Sequence, residues 1–307
     1  MRRWLFVILI PVLIISGLIL YDGHRIQQTL SGQSDASRLL ANVSKASDEK
    51  QTDDQTWFTE QDVVSKKLTT SGPERVGQYL AATEASDKTV IVLPDDTPHQ
   101  ASLFSLIRLY HEQLGYHVLL VERRDTEARS SGWLDRLDLI DWTNQLIADN
   151  GPASQILYHG LGVGGATALL AAGEADVPKQ LKVVISEGAY ARLDDWLAFR
   201  AKENLPYPAD PSLAAASTFN KFRQDFFYGD VSVTRQTSRI MVPTLFIHGT
   251  DDQRVPSRMA YELYQAKPGL KQLYPVRGAG HDDTSSKDPE NYQKRLRLFI
   301  EPFVTPL

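Results

Sequence analysis

Two side chains in the last quarter of the chain have the types needed for acid–base chemistry. Asp252 lies in VPTLFIHGTDDQRVP (Val242 to Pro256), an apolar run that opens into an acidic loop. His281 ends the short run Gly278-Ala-Gly-His281. A carboxylate that orients an imidazole makes it a base able to take a proton from a hydroxyl or a water. The attacking group has to come from elsewhere. SQILYHGLGVGGATALLAAG (Ser154 to Gly173) reads as a short buried strand (Ile156 to Tyr158), a glycine-dense turn (Gly160 to Gly165) and a small-residue helix (Ala166 to Ala172). A strand that turns sharply into a helix puts one side chain at the apex of the turn. Here the apex is Gly162, which supplies no attacking atom.

The elements that must position these residues alternate between strand and helix. Val63 to Thr70 and Arg75 to Ala82 flank Ser71-Gly72-Pro73 and read as a hairpin. Thr89 to Leu93 is a continuous apolar run, as in a strand buried on both faces; His117 to Val121 reads as another buried strand, and Leu181 to Ile185, Thr244 to Ile247 and Gln272 to Val276 are also strand-like. Between them fall helical patterns at about Gln100 to Leu114 (ended by Gly115), Leu134 to Asp149 (Leu137, Ile140 and Leu146 to one side) and Ser257 to Gln265. Pro289 to Phe303 closes the chain as an amphipathic helix. From about 190 to 237 the strand rhythm stops, and aromatic residues lie among prolines and charges, which predicts a mostly helical lid packed on the domain. The pattern is that of an α/β protein, a mostly parallel sheet with helices on both faces.

The order of elbow, acid and histidine resembles the α/β-hydrolase superfamily, and the resemblance covers roughly Asp62 to Phe303. It implies that HG-x-x-D-x-x-VP places the family's acid at Asp252 and that G-A-G-H places its base at His281. The segment WLDRLDLIDW (Trp133 to Trp142) looks like the region before the elbow in membrane-anchored, exported serine hydrolases of Gram-positive bacteria. The family's G-x-S-x-G is Gly160-Leu-Gly162-Val-Gly164 here, so its nucleophile position is Gly162. Its His-Gly oxyanion loop is Pro94-Asp95-Asp96, which puts two carboxylates beside a hole meant for developing negative charge. By resemblance, the backbone N–H groups of Asp96 and Val163 would form that hole. The loop Glu122 to Arg129 also lacks the family's glycines. Ser186, at the end of the next strand, is poorly placed to replace the missing serine.

Composition narrows the remaining classes. Among 307 residues there is no cysteine, which excludes a disulfide scaffold, a thiolate metal site, a cysteine nucleophile and a lipoprotein anchor. A formal net charge of −5 gives no reason to expect nucleic-acid binding. Arg2 and Arg3 precede an uncharged apolar run, Trp4 to Leu20, about 26 Å long as a helix. This predicts a single-pass membrane anchor over 1–21 with the N-terminus inside; a cleaved signal peptide is the rival reading, disfavoured because Gly17 to Gly23 lacks a clear small-x-small cleavage site. A polar stalk over 22–56 and an extracytoplasmic domain over 57–307 follow from it.

The expected function is therefore that of a membrane-anchored α/β-hydrolase-fold protein without serine-hydrolase chemistry, a pseudoenzyme that binds a small ligand or a protein at its cleft or lid. One alternative is an ester or amide hydrolase in which His281, oriented by Asp252, activates a water. Another is a dinucleotide binder, since Gly160 to Gly165 also fits G-x-G-x-x-G and Glu187 stands where a ribose-binding acid would be. Asp251, Asp252, His281, Asp282 and Asp283 form a candidate metal cluster, but adjacent acids on loops are usually solvated, so neither metal nor cofactor is expected. His159 reads as a strand-end residue without chemical importance.

Overall fold

A computed structural model describes residues 15–24, 53–68, 74–96, 101–122, 130–202 and 210–304. Helix α1 (Asp53–Thr59) leads into a sheet of eight strands: β1 (Val63–Leu68), β2 (Arg75–Leu80), β3 (Lys88–Leu93), β4 (His117–Val121), β5 (Gln155–Leu161), β6 (Leu181–Glu187), β7 (Thr244–Gly249) and β8 (Lys271–Val276). Their spatial order is β1-β2-β4-β3-β5-β6-β7-β8. Pairing is antiparallel from β1 to β2 and from β2 to β4, and parallel from there to β8. The chain has the α/β-hydrolase fold.

The central strands are buried because helices cover both faces. All residues of β5 and β7 are buried, including the polar Gln155, His159, Thr244 and His248. One face carries α3 (Asp135–Asn150), α4 (Val163–Ala172) and the lid elements packed beyond them. The other carries α1, α2 (Ala101–Arg108, continued by a π-helical turn at Leu109–Gln113) and α10 (Pro289–Ile300). The insertion after β6 supplies α5 (Leu193–Lys202), α6 (Asp210–Gln224) and α7 (Val233–Thr237). Helices α8 (Arg258–Ala266) and α9 (Thr284–Lys287) follow β7 and β8.

Helix α3 turns Ile140 and Leu146 inwards as expected, together with Leu139, Trp142 and Thr143, but leaves Leu137 44% exposed. The rotation is fixed from outside the helix. The Arg75 guanidinium on β2 meets Asp138 at 3.0 Å, and Thr143 is 2.7 Å from the Tyr158 hydroxyl on β5.

Of the apolar run 4–20, residues 4–14 fall outside the described residues. Residues 15–24 are helical, and no helix among the described residues is long and apolar enough to cross a membrane. Most of the stalk 22–56 likewise lies outside the described residues.

Candidate active site at the elbow

Strand order reverses between β3 and β5. The chain leaves β3 for β4 on one side and returns to β5 on the other. In open α/β sheets the crevice for a ligand lies at such a switch point, beyond the carboxyl ends of the strands. Asp95 follows β3 and Gly162 follows β5, so the switch point sets the two side by side. Asp252 follows β7 and His281 follows β8 at the same edge of the sheet.

Gly162 has φ 53° and ψ −116°, a backbone state that L side chains rarely adopt. Two hydrogen bonds hold it there: its N–H donates to Glu187 O at 2.7 Å, and its carbonyl accepts from Ala166 N at 3.1 Å. Gly160 and Gly164 let strand and helix meet, since a Cβ on Gly160 would lie 2.1 Å from the Gly164 carbonyl oxygen. The sharp turn of a nucleophile elbow is therefore fully formed.

The space above the elbow is filled by Asp95. A Cβ on Gly162 would stand 2.0 Å from Asp95 Oδ1 and 2.1 Å from its carboxyl carbon. The Val163 N–H donates to Asp95 Oδ1 at 2.8 Å, and His281 Nε2 meets Asp95 Oδ2 at 3.2 Å. The carboxylate thus fills the space over the apex of the turn and takes the first backbone donor of the following helix. Asp96 lies one residue further on, its carboxylate 3.9 Å from the Arg254 guanidinium. Sequence reasoning put two carboxylates beside the hole; it did not single out Asp95 as the one that fills it.

His281 is clamped between two acids. Its Nδ1 is 2.7 Å from Asp252 Oδ2. Asp252 is itself held by the N–H groups of Arg254 (2.8 Å) and Val255 (2.9 Å), both on Oδ1, and by His248 Nε2, 3.2 Å from Oδ2. Burial works against a charge on His281, but the carboxylates of Asp252 and Asp95 outweigh it and raise the imidazole to about 10. Burial alone would also push Asp95 up. Its hydrogen bond to His281, the imidazolium charge, the Val163 N–H and nearby Arg254 instead hold it far below the ordinary carboxylate range. Asp252 is depressed in the same way, with burial overcome by His248, His281 and the Val255 N–H. At neutral pH the arrangement is carboxylate, imidazolium, carboxylate.

Beneath the elbow lies a second polar cluster that the sequence did not disclose. His159 is fully buried, its Nδ1 2.9 Å from the Tyr110 hydroxyl. Its Nε2 is 3.8 Å from Glu187 Oε2, too long for a hydrogen bond. Tyr292 donates to Glu187 Oε2 at 2.8 Å, and the Thr284 hydroxyl donates to Oε1. Burial disfavours the Glu187 charge, yet His159 and the two hydroxyl donors hold its carboxyl below the usual value. Glu187 is enclosed and bonded from within, which counts against a ribose-binding role, and His159, near the end of its strand, is a buried residue paired with Tyr110. Ser186 is buried and donates to Gly165 O at 3.1 Å, away from the cleft.

Asp95, His281 and Asp282 could each offer one ligand atom to a cation, with all three atoms within 4.8 Å of one another. A cation there would have to displace the proton that joins Asp95 to His281. Asp251, the other acid of the loop, accepts from the Thr250 hydroxyl at 2.9 Å.

Comparison with known proteins agrees with the architecture. No protein-family model matches the chain. The uncharacterized protein YqkD of Bacillus subtilis is 28% identical over 228 residues, which cover 73% of this chain and 74% of YqkD. Among solved structures, an esterase of Pyrococcus furiosus superposes with a TM-score of 0.64 at 22% identity, covering 81% of this chain and 94% of the esterase. A dienelactone hydrolase of Anabaena variabilis gives 0.58 at 16% identity, covering 80% and 99%. The acylaminoacyl peptidase of Pyrococcus horikoshii gives 0.57 at 17% identity, covering 82% of this chain and 43% of that longer one. These likenesses establish the fold.

Proposed function

We propose that this chain is a membrane-anchored, extracytoplasmic α/β-hydrolase-fold protein without serine-hydrolase activity, acting through binding of a small ligand or a protein partner at its cleft and lid. One observation carries the reading: the Asp95 carboxylate occupies the space over Gly162, takes the Val163 N–H and pairs with His281. Acyl transfer by the elbow route needs a hydroxyl at the apex, a neutral imidazole beside it and a vacant oxyanion hole. All three positions are committed otherwise. Anchoring is supported by the uncharged run Trp4 to Leu20 behind Arg2 and Arg3.

The same geometry weighs against a His281-activated water. The Nε2 that would take the proton already carries one and directs it to Asp95. A dinucleotide role is weakened by the enclosure of Glu187.

The test is a serine-directed fluorophosphonate probe on the purified protein, with catalytically active hydrolase as control. No stoichiometric labelling is expected. Labelling that disappears when one particular serine is replaced would sink the proposal.

A further inference from the structure

Residues 15–24 form a helix whose C-terminal end is seated on the lid. Gly23 is buried against α6, where a Cβ would lie 2.7 Å from Ala215 Cβ and 3.0 Å from Ala216 N. His24 meets Phe219 edge to face, with ring centroids 5.9 Å apart. Upstream of this seat the helix shows large apolar side chains at its surface: Ile15, Leu18 and Leu20 are each more than half exposed. A helix that exposes such side chains on several sides is suited to lipid.

Ala215, Phe219 and Phe222 follow one another at i, i+4 and i+7, one row along one face of α6. The helix 15–24 covers the first two. Phe222 continues the row beyond the seat and is 85% exposed. A large aromatic ring so bare is unusual on a soluble surface, and here it is aligned with a segment of lipid-like chemistry.

We infer that this face of α6 rests on the bilayer, with Phe222 dipping into the headgroup region beside the emerging helix. The inference builds on the anchoring reading above. It assigns a lipid surface to the lid as its partner and gives the domain a fixed orientation, this face of α6 towards the membrane. Amphiphilic ligands would then reach the lid along the bilayer.

The absence of cysteine makes a direct test clean. Phe222→Cys and Leu298→Cys are made separately in the full chain and labelled with a polarity-sensitive fluorophore. Each is reconstituted into phosphatidylcholine–phosphatidylglycerol vesicles containing nitroxide lipids. Leu298 is 62% exposed and borders a hollow beside the start of β8, at the opposite end of the sheet. Lipid nitroxides are expected to quench the label at 222 at least twofold more than at 298, while a water-soluble quencher shows the reverse. If the chain floats with vesicles but position 222 behaves like 298, the lid inference alone falls. If the chain does not float with vesicles, anchoring and lid inference fall together. Protection at 222 from the soluble quencher without quenching by lipid would place protein on this face and would also overturn the inference.

Discussion

Asp95 Oδ1 lies 2.0 Å from the point a Gly162 Cβ would occupy, so residue 162 and residue 95 cannot both carry their side chains into this space. The two positions are linked: the carboxylate stands there because the apex is glycine.

This relationship predicts the outcome of placing a serine at the apex. Gly162→Ser alone is expected to show no fluorophosphonate labelling and to lose about 1–3 kcal/mol of stability, because it meets both a positive φ and the Asp95 carboxylate. Adding Asp95→Gly should recover part of that loss and allow a fluorophosphonate to label the introduced hydroxyl at position 162. Urea denaturation and intact-mass spectrometry read the two effects. Labelling of the single variant at the rate of the double would show that Asp95 is no obstacle.

Removing the imidazole leaves two buried carboxylates facing each other without a cation. His281→Ala is therefore expected to cost about 3–5 kcal/mol, as breaking a buried ion pair does. Asp95→Asn should cost less, since Asp252 still pairs with the imidazolium and the amide can still accept from Val163 N–H. Paired urea titrations check the order of the two variants.

The pH dependence follows from the directions of the shifts. His281 is raised from 6.5 to about 10, so the stability it contributes is complete below pH 6.5 and is lost as pH rises through about 10. Asp95 and Asp252 are depressed, so their contribution is complete above the ordinary carboxylate value of 3.8 and is lost as pH falls well below it. The urea midpoint should decline steadily from pH 7 to pH 10, and His281→Gln should flatten that decline. An imidazole resonance of His281 titrating near 6.5 would contradict the clamp.

The interior cluster predicts a cost remote from the cleft. Tyr292→Phe removes a donor from the buried Glu187 carboxylate and should destabilise the protein by about 1–3 kcal/mol, with the Asp95–His281 pair unchanged. Urea denaturation gives the first quantity and the imidazole chemical shift of His281 the second.

The sequence discloses the frame of the site because that frame is made of local signals. Buried strands are written as unbroken apolar runs, and β3 to β8 fall within a few residues of those runs. Gly162, Asp252 and His281 sit at turns whose residue types mark them. The direction of the Asp95 side chain is not local. It depends on β3 and β5 being neighbours and on the chain returning, 68 positions later, to bring Val163 N–H to meet it. The Glu187 cluster is concealed for the same reason, since Tyr292 arrives from 105 residues downstream. Leu137 shows the converse: its apolar character suggested the core, but ties to β2 and β5 turned α3 away from it.

Acyl-transfer enzymes pass, in mid-reaction, through a negative oxygen on a backbone N–H, an imidazolium beside it and a carboxylate behind. Here the same charge pattern is present at neutral pH without a substrate: Asp95 supplies the negative oxygen, His281 the cation and Asp252 the support. The protein at rest thus resembles a tetrahedral intermediate of acyl transfer, and boronate or phosphonate mimics of that intermediate are expected to find the Val163 N–H already engaged.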